Sequence, residues 1–294
     1  MKALWAIEPF HQDKKNTKEI YNLIKQLAGK PSNIEAGFIV TRRESELHLA
    51  FDIPFGERFS SYPLKILQDK LKSANIVMDK KNIHVVDFES FSTTKAVDRL
   101  LLLGKSINSD LIALQTQALK GYKRIMFGSF AETTIHRSKI DLLLVNPKTN
   151  FSSKIKNIFY ASAFSPSPKL QLKKVLYLCK KLEARLTVFH VTQVIYKWSL
   201  DESNPEILAY RRKISKTNDW IAQAAKAAQV PCQVTLSSEL GSVTDLTLKN
   251  AKKVGSDLIV VSAKAGPMAA LMGGSITRQI VRNSSKPILI LKHK

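Results

Sequence analysis

The chain has only two cysteines among its 294 residues and no long hydrophobic run. A membrane-spanning helix needs about 20 apolar residues in a row. The apolar stretch within residues 1–10 is too short for a signal peptide. Cys179 falls in a helical pattern and Cys232 in an alternating, strand-like one. We expect both to be small core residues rather than a disulfide or a redox pair, in a soluble, cytoplasmic protein that makes no membrane contact.

Motifs of enzyme chemistry are also missing. The sequence contains no Walker A motif, no G-x-G-x-x-G, no G-x-S-x-G and no Cys–His arrangement that would mark a nucleophile. We expect His190 to be a histidine of the core or sheet end, and His136 to lie at a helix C-terminus, where its charge suits the helix dipole. The six histidines, at positions 11, 48, 84, 136, 190 and 293, lack the spacing of metal ligands. We therefore expect neither a metal site nor a catalytic residue, and the chain is not predicted to be an enzyme.

Acidic residues are scarce relative to basic ones. The 46 Lys and Arg against 24 Asp and Glu give a net charge of +22. The excess is uneven, because residues 1–147 hold 22 basic and 16 acidic side chains whereas residues 148–294 hold 24 and 8. A basic half attracts nucleotides, nucleic acids and acidic proteins, but it is equally explained by a solvated lysine-rich surface.

An internal repeat is present. The segment I-N-S-D-L-I-A-L at 107–114 recurs as V-G-S-D-L-I-V-V at 254–261, so that Asp110 and Asp257 are 147 positions apart. F-G-S-F-A at 127–131 recurs as G-G-S-I-T at 273–277, and each copy continues with a helical stretch and an apolar strand. Self-similarity at a fixed spacing indicates two copies of one fold, which we assign to 1–147 and 155–294.

Each copy alternates short apolar strands with helices. In the second copy we predict helices at 169–181, 204–228, 243–253 and 276–281, between strands at 158–162, 186–191, 233–236, 257–261 and 287–291. In the first copy we predict helices near 17–27, 63–74 and 94–103. Continuous apolar strands separated by helices predict an α/β fold: two tandem doubly wound α/β/α domains, each with a five-stranded parallel sheet of the Rossmann-like, adenine nucleotide alpha hydrolase-like kind.

The pattern G-S-D-L-I-V-V (255–261), G-S-I-T (274–277) and S-K-P-I-L-I-L (285–291), with K-K-L-E-A-R-L-T-V-F-H-V at 180–191, resembles the universal stress protein family. Two copies across nearly the whole chain resemble a tandem member. Known members that bind ATP carry, after the fourth strand, a glycine, two residues, a second glycine, nine residues and then Gly-Ser/Thr. An Asp that ends their first strand holds the nucleoside.

Both copies match that ATP pattern only in part. Gln115 and Ala118 stand at the two loop glycines of the first copy, and Glu8 stands at the strand-one Asp. In the second copy Ser262 and Ala265 stand at the glycines and Ala163 at the Asp. The resemblance therefore implies weak or lost ATP binding, and it leaves ATP in the second domain as the one cofactor to test. The binding residues implied there are Val191, Ser262, Ala265, Gly266, Gly274, Ser275, Ile276, Thr277 and Arg278.

The two Gly-Ser turns differ in charge. In the first copy Ser129 and Glu132 form a capping-box pattern, which uses the helix amides that a phosphate would need. In the second copy Arg278 takes the place of the glutamate, and a cation in a first turn opposes the helix dipole unless an anion binds there. If either turn holds an anion, we expect it to be the second.

The leading hypothesis is a non-catalytic stress-response regulator or interaction module, with protein partners that the sequence does not identify. The alternative is a sensor that binds ATP or another adenine nucleotide through the second domain. A second alternative is an anion or nucleic-acid binder that uses the basic C-terminal half, although recognisable stacking aromatics are missing. The resemblance implies that the two domains pair as an intramolecular pseudo-dimer through 142–145 and 288–291, and it leaves a homodimer open.

Overall fold

A computed structural model of the chain describes residues 1–7, 14–41, 61–88, 92–116, 129–162, 164, 168–192, 205–263 and 274–292. Contacts between residues divide it into two compact units. The main part of the first unit is Met1–Pro147, and the second unit begins at Lys148.

The first unit alternates strands and helices over its whole length. Its strands are β1 (Ala3–Ala6), β2 (Ile34–Thr41), β3 (Ile83–Phe88), β4 (Leu111–Gln115) and β5 (Asp141–Val145). Its helices are α1 (Lys14–Ala28), α2 (Ser61–Ser73), α3 (Thr93–Ser106) and α4 (Ser129–Arg137). Short 3-10 turns at Pro31–Asn33 and Lys80–Asn82 lead into β2 and β3.

The second unit repeats this order. Its strands are β6 (Asn157–Ala161), β7 (Arg185–Val191), β8 (Cys232–Ser237), β9 (Leu258–Ala263) and β10 (Ile288–Lys292). Its helices are α5 (Pro168–Leu182), α6 (Pro205–Ala228), α7 (Val243–Lys253) and α8 (Gly274–Asn283).

The sheets of the two units have the same topology. Within the described residues the strand order is β3-β2-β1-β4-β5 in the first unit and β8-β7-β6-β9-β10 in the second, and the pairs within each unit are parallel. In the second unit α5 packs against α6 and α7 against α8. Because parallel crossovers are right-handed, the reversal of strand order puts these two helix pairs on opposite faces of the sheet. The doubly wound, Rossmann-like α/β fold predicted from the sequence is confirmed.

The repeated S-D-L-I motif has a structural role in both units. Asn108 and Gly255 take the left-handed conformation with φ of 53° and 61°, which ends the preceding helix. Asp110 then accepts a bond from the Lys2 amide at 2.8 Å, and Asp257 accepts bonds from the amides of residues 156 and 157 at 2.9 and 3.0 Å. In each unit, the hydrogen bonds of this aspartate therefore link the start of the first strand to the start of the fourth strand.

The predicted elements lie close to the observed ones. Helix α7 has the predicted bounds, and the other predicted helices of the second unit differ from the observed ones by one or two residues at their ends. One difference matters for the site, because α8 begins at Gly274 rather than near Ile276. Arg278 is therefore the fifth residue of α8 and lies beyond the first turn, so the expected conflict between its charge and the helix dipole is largely removed.

The cysteines are structural, as predicted. Cys179 on α5 is fully buried in the core and Cys232 on β8 is half-buried, and both are free thiols. Burial raises the pKa of Cys179 to about 12 and that of Cys232 to about 11. Neither thiol is therefore an activated nucleophile at neutral pH.

Candidate functional site

The carboxyl ends of the second unit's central strands form the candidate site. Ligands of open α/β sheets bind where the strand order reverses, outside the carboxyl ends of the two strands at that point. In the second unit these strands are β6 and β9, and β7 lies on the other side of β6. The residues that follow or end them include Ser162, Val191 and Ser262.

Tyr160 fills one face of this edge. Its register partners are Val188 on β7 and Val260 on β9, so His190 and Ser262, two residues further along, lie on the same face. The Tyr160 ring is buried and its hydroxyl reaches along β9 to the Ser262 hydroxyl at 2.9 Å. Burial raises the pKa of Tyr160, although the hydroxyls of Ser262 and Ser162 partly oppose the rise. The phenol is thus a neutral hydrogen-bonding group that links two strand ends.

His190 is the second polar group of this face. Its Nδ1 lies 2.8 Å from the Ser162 carbonyl oxygen and its Nε2 lies 3.0 Å from the Tyr210 hydroxyl on α6. A carbonyl can only accept, so Nδ1 carries the proton and Nε2 accepts from Tyr210. Burial lowers the pKa of His190, which keeps the ring neutral. The expectation of a core histidine at the sheet end is confirmed.

Phe164 covers the imidazole. The two rings are parallel within 4° and their centroids are 4.3 Å apart. The Phe164 amide donates to the Ser162 hydroxyl at 3.3 Å, and the Ser162 amide donates to the Phe189 carbonyl at 2.9 Å. We call the whole group the carboxyl-edge cluster; it consists of Tyr160, Ser162, Phe164, His190, Tyr210 and Ser262.

The described members of the predicted binding set fall into two places. Val191 is the last residue of β7 and Ser262 the last but one of β9, and both are half-exposed at this edge. Gly274 begins α8 and Ser275 follows it, Ile276 is 40% exposed, and Thr277 is buried. Arg278 is half-exposed and makes contacts of its own. Ala265 and Gly266 lie outside the described residues, as does Ala163 at the aligned Asp position.

The helix that follows the Gly-Ser turn differs between the units in the charge of its first turn. Glu132 lies in the first turn of α4, whereas the first turn of α8 contains no acidic residue. Helix α4 begins at Ser129, so Glu132 is its fourth residue. Gly128 lies outside the described residues.

Sequence reasoning missed most of the carboxyl-edge cluster. It singled out Ser262 and His190, but it did not identify Tyr160, Ser162, Phe164 or Tyr210. The signal in the sequence was the change from apolar to hydroxyl-bearing residues at the end of β6, in Y-A-S. That signal could not have revealed Tyr210, because its contact with His190 depends on how α6 packs.

Within the ranges that the structure describes, no group of three or more His, Cys, Asp or Glu side chains is arranged to hold a metal ion. No helix in the same ranges is long and apolar enough to cross a membrane.

Two solved structures resemble the whole chain. A universal stress protein from Archaeoglobus fulgidus DSM 4304 aligns over 99% of this chain and 98% of its own, with 15% identity and a TM-score of 0.68. A putative universal stress protein from Pseudomonas aeruginosa UCBPP-PA14 aligns over 99% and 93%, with 13% identity and a TM-score of 0.62. At these identities the two structures show that the fold extends over both units.

A third structure covers about half of the chain. It is a universal stress protein from Archaeoglobus fulgidus in complex with dAMP, which aligns over 46% of this chain and 96% of its own, with 13% identity and a TM-score of 0.35. The bound dAMP is a property of that protein.

The sequence comparisons concern the second unit. No curated protein matches the chain. The model of the universal stress protein family matches residues 154–292, which include β6 to β10 and the described helices α5 to α8. The second unit is therefore a universal stress protein domain, and the first unit repeats its fold.

Proposed function

We propose that the chain is a non-catalytic stress-response regulator or interaction module whose second unit binds ATP weakly or not at all. One observation carries this proposal: the polar groups at the carboxyl edge are bonded to each other. Tyr160 is paired with Ser262, and both nitrogens of His190 have partners, at 2.8 and 3.0 Å. A ligand that entered this edge would have to replace those bonds with its own.

The same bonding argues against catalysis. A general base must reach the proton that it removes, and a nucleophile needs an adjacent base. The side chain of His190 is buried under Phe164 and its unprotonated nitrogen already accepts from Tyr210. The hydroxyls of Ser162 and Ser262 both lie beside the weakly acidic phenol of Tyr160, which is a poor base.

A second function, an adenine-nucleotide sensor, is favoured by the start of α8. The first turn of this helix lacks an acidic residue, and helix N-termini attract anions through their unpaired amides and dipole. In this alternative the phosphates lie at Gly274–Thr277 and the nucleoside lies beside Val191 and Ser262. The nucleic-acid alternative rests on the charge of residues 148–294 alone.

The test is to denature the purified protein and to search for released nucleotide by mass spectrometry, followed by thermal-shift titration with ATP and Mg²⁺. We expect no released nucleotide and, up to millimolar ATP, either no thermal shift or a small one that does not saturate. Released adenine nucleotide, with binding lost in Gly274→Val and kept in Gly128→Val, would establish the sensor instead. A shift with DNA that declines steeply with salt would favour the nucleic-acid alternative.

A further inference from the structure

Much of the positive charge of the second unit lies at one end of its sheet. In a parallel sheet whose strands are joined by helices, every strand begins and every helix ends at the same edge. We call this end of the second unit the amino edge; it is opposite the carboxyl edge described above. Six exposed basic residues lie there, which we call the amino-edge cations: Lys154, Lys156, Lys180, Arg185, Lys226 and Lys252.

Backbone hydrogen bonds place these cations along one edge. The Arg185 amide at the start of β7 donates to the Lys156 carbonyl just before β6, at 2.8 Å. The Pro231 carbonyl before β8 and the Asp257 amide before β9 are bonded in the same way to β7 and β6, at 2.8 Å each. The helices that lead into β8 and β9 each carry one of the cations in the last turn. Four strands about 4.8 Å apart therefore begin side by side along about 14 Å of a basic edge.

Few acidic side chains oppose this charge. Among the described residues of the unit, Glu183 and Asp257 are the acidic ones at the amino edge. The Asp257 carboxylate accepts bonds from the Ser152 hydroxyl and from two backbone amides. Glu206 and Asp245 lie in the first turns of α6 and α7, at the other end of the unit. A polyanion that approaches the amino edge therefore meets attraction from several cations and little repulsion.

The helix dipole explains only part of the cluster. Three of the six amino-edge cations lie in the last turns of α5, α6 and α7, where a positive charge is favoured. The other three lie outside the helices, where the dipole gives no reason for them. Among the described residues, no carboxylate forms a salt bridge with any of the six. Their charge is therefore available to a partner.

Exposed apolar side chains lie elsewhere on this unit. They are found near the starts of α5, α6 and α8, in the middle of α5, or at and beyond the end of β8; those described are Leu170, Tyr177, Leu208, Leu236, Leu240 and Ile276. The core of a protein–protein interface is poor in lysine and rich in aromatic residues, and a single nucleic-acid strand needs aromatic rings for stacking. Interfaces with nucleic acids are polar and strongly positive. The composition of the amino edge therefore favours the regular phosphates of a duplex.

We propose that the amino edge of the second unit binds double-helical nucleic acid through its phosphates, without reading the base sequence. A DNA duplex carries one negative charge per about 1.7 Å of its axis, so about eight phosphates lie along 14 Å of edge. The amino-edge cations pair with the phosphates that face the protein, and each pair releases a bound counterion. This site goes beyond the regulator or interaction module proposed above, because it lies at the opposite end of the sheet and exists whether or not the β6–β9 edge binds ATP.

The test is fluorescence anisotropy of a labelled 20-base-pair DNA duplex, titrated with the full-length protein at several salt concentrations. We expect a dissociation constant of about 1–100 µM at 150 mM salt. The logarithm of the association constant should fall with the logarithm of the salt concentration with a slope of about −4 to −5, as five neutralised phosphates require. A single strand of the same length should bind more weakly, because stacking rings are missing at this edge.

Two double variants with the same loss of charge locate the site. Lys156→Gln with Arg185→Gln should weaken duplex binding by about tenfold or more and make the slope shallower by about 2, with an unchanged Tm because both side chains are exposed. Arg212→Gln with Lys216→Gln, two exposed positions in the middle of α6, is the matched control and should bind within about twofold of the wild type.

Four results would overturn the proposal. The first is the absence of duplex binding at 50 mM salt, and the second is an equal loss of affinity in the two double variants, which would make net charge the cause. The third is a single strand that binds as tightly as the duplex. The fourth is binding to vesicles that contain phosphatidylserine, lost in Lys156→Gln with Arg185→Gln while duplex binding is kept, which would assign the edge to a membrane surface.

Discussion

The two units place different side chains at equivalent positions of the carboxyl edge. Ala3 pairs with Leu111 as Ile158 pairs with Leu258, which fixes the correspondence between the sheets. The positions of Tyr160, Ser162, His190 and Ser262 in the second unit are held by Trp5, Ile7, Phe38 and Gln115 in the first. Of these, Trp5, Ile7 and Phe38 are buried. A hydrogen-bonded cluster in one unit thus replaces an apolar one in the other.

The first unit has its polar group at the opposite edge. Glu35 on β2 lies next to the start of β1, where its carboxylate meets Lys2 Nζ at 2.6 Å and His84 Nε2 at 2.5 Å. Burial alone would raise the pKa of Glu35, but the bonds and charges of Lys2 and His84 outweigh it and lower that pKa. Ligands of α/β sheets bind at carboxyl edges, so this group at the opposite edge stabilises the fold rather than marking a ligand site.

The largest difference that we predict between the units concerns the repeated aspartates. Asp257 accepts bonds from the Ser152 hydroxyl and from the amides of residues 156 and 157, whereas Asp110 accepts one from the Lys2 amide. Asp257→Ala should therefore lower the free energy of unfolding by about 2–3 kcal/mol and Asp110→Ala by about 1 kcal/mol. Urea unfolding of both variants measures this, and equal losses would show that the two motifs anchor their strands equally.

The next prediction concerns the Tyr160 hydroxyl. Tyr160→Phe removes the bond to Ser262 at the buried edge and should cost about 1–2 kcal/mol in the free energy of unfolding. Tyr177→Phe is the matched control, because Tyr177 is 68% exposed and its loss of a hydroxyl should change stability by less than about 0.5 kcal/mol. If both variants unfold alike, the carboxyl-edge cluster contributes little to stability.

The smallest predicted effect is a pH dependence. Burial lowers the pKa of His190 in the folded protein below the ordinary 6.5, so below that pH the unfolded state takes up a proton that the folded state does not. The contribution of the neutral His190 ring to the free energy of unfolding is therefore fully present above pH 6.5. It declines as the pH falls below 6.5, by at most about 1.4 kcal/mol per pH unit. His190→Phe, which installs the residue type of the first unit, should flatten the decline in urea midpoints. An unchanged pH profile in the variant would mean that His190 ionises as readily in the folded protein as in the unfolded one.

The sequence predicted the fold because its signals are local or repeated. The start of α7 could be predicted from its own residues, because Ser242 caps the helix by accepting a hydrogen bond from the Asp245 amide at 3.0 Å. The repeat at Asp110 and Asp257 revealed the duplication before any strand pairing was known. Both signals arise from short-range geometry.

The carboxyl-edge cluster could not be predicted in the same way. Tyr160 and Ser262 are 102 residues apart, and their contact depends on the register of β6 against β9. Tyr210 meets His190 because of the rotation of α6 on the sheet, which periodicity alone does not determine. The position of Arg278 beyond the first turn followed from where α8 begins, and helix ends are the least certain part of a sequence-based prediction.

The most direct test of the account is an equilibrium titration of the wild-type protein with ATP and Mg²⁺ by isothermal titration calorimetry, after removal of any bound nucleotide. Because the polar groups at the carboxyl edge of the second unit are bonded to each other, we predict no saturable heat up to millimolar ATP. A saturable isotherm with one ATP per chain that disappears in Gly274→Val would contradict it.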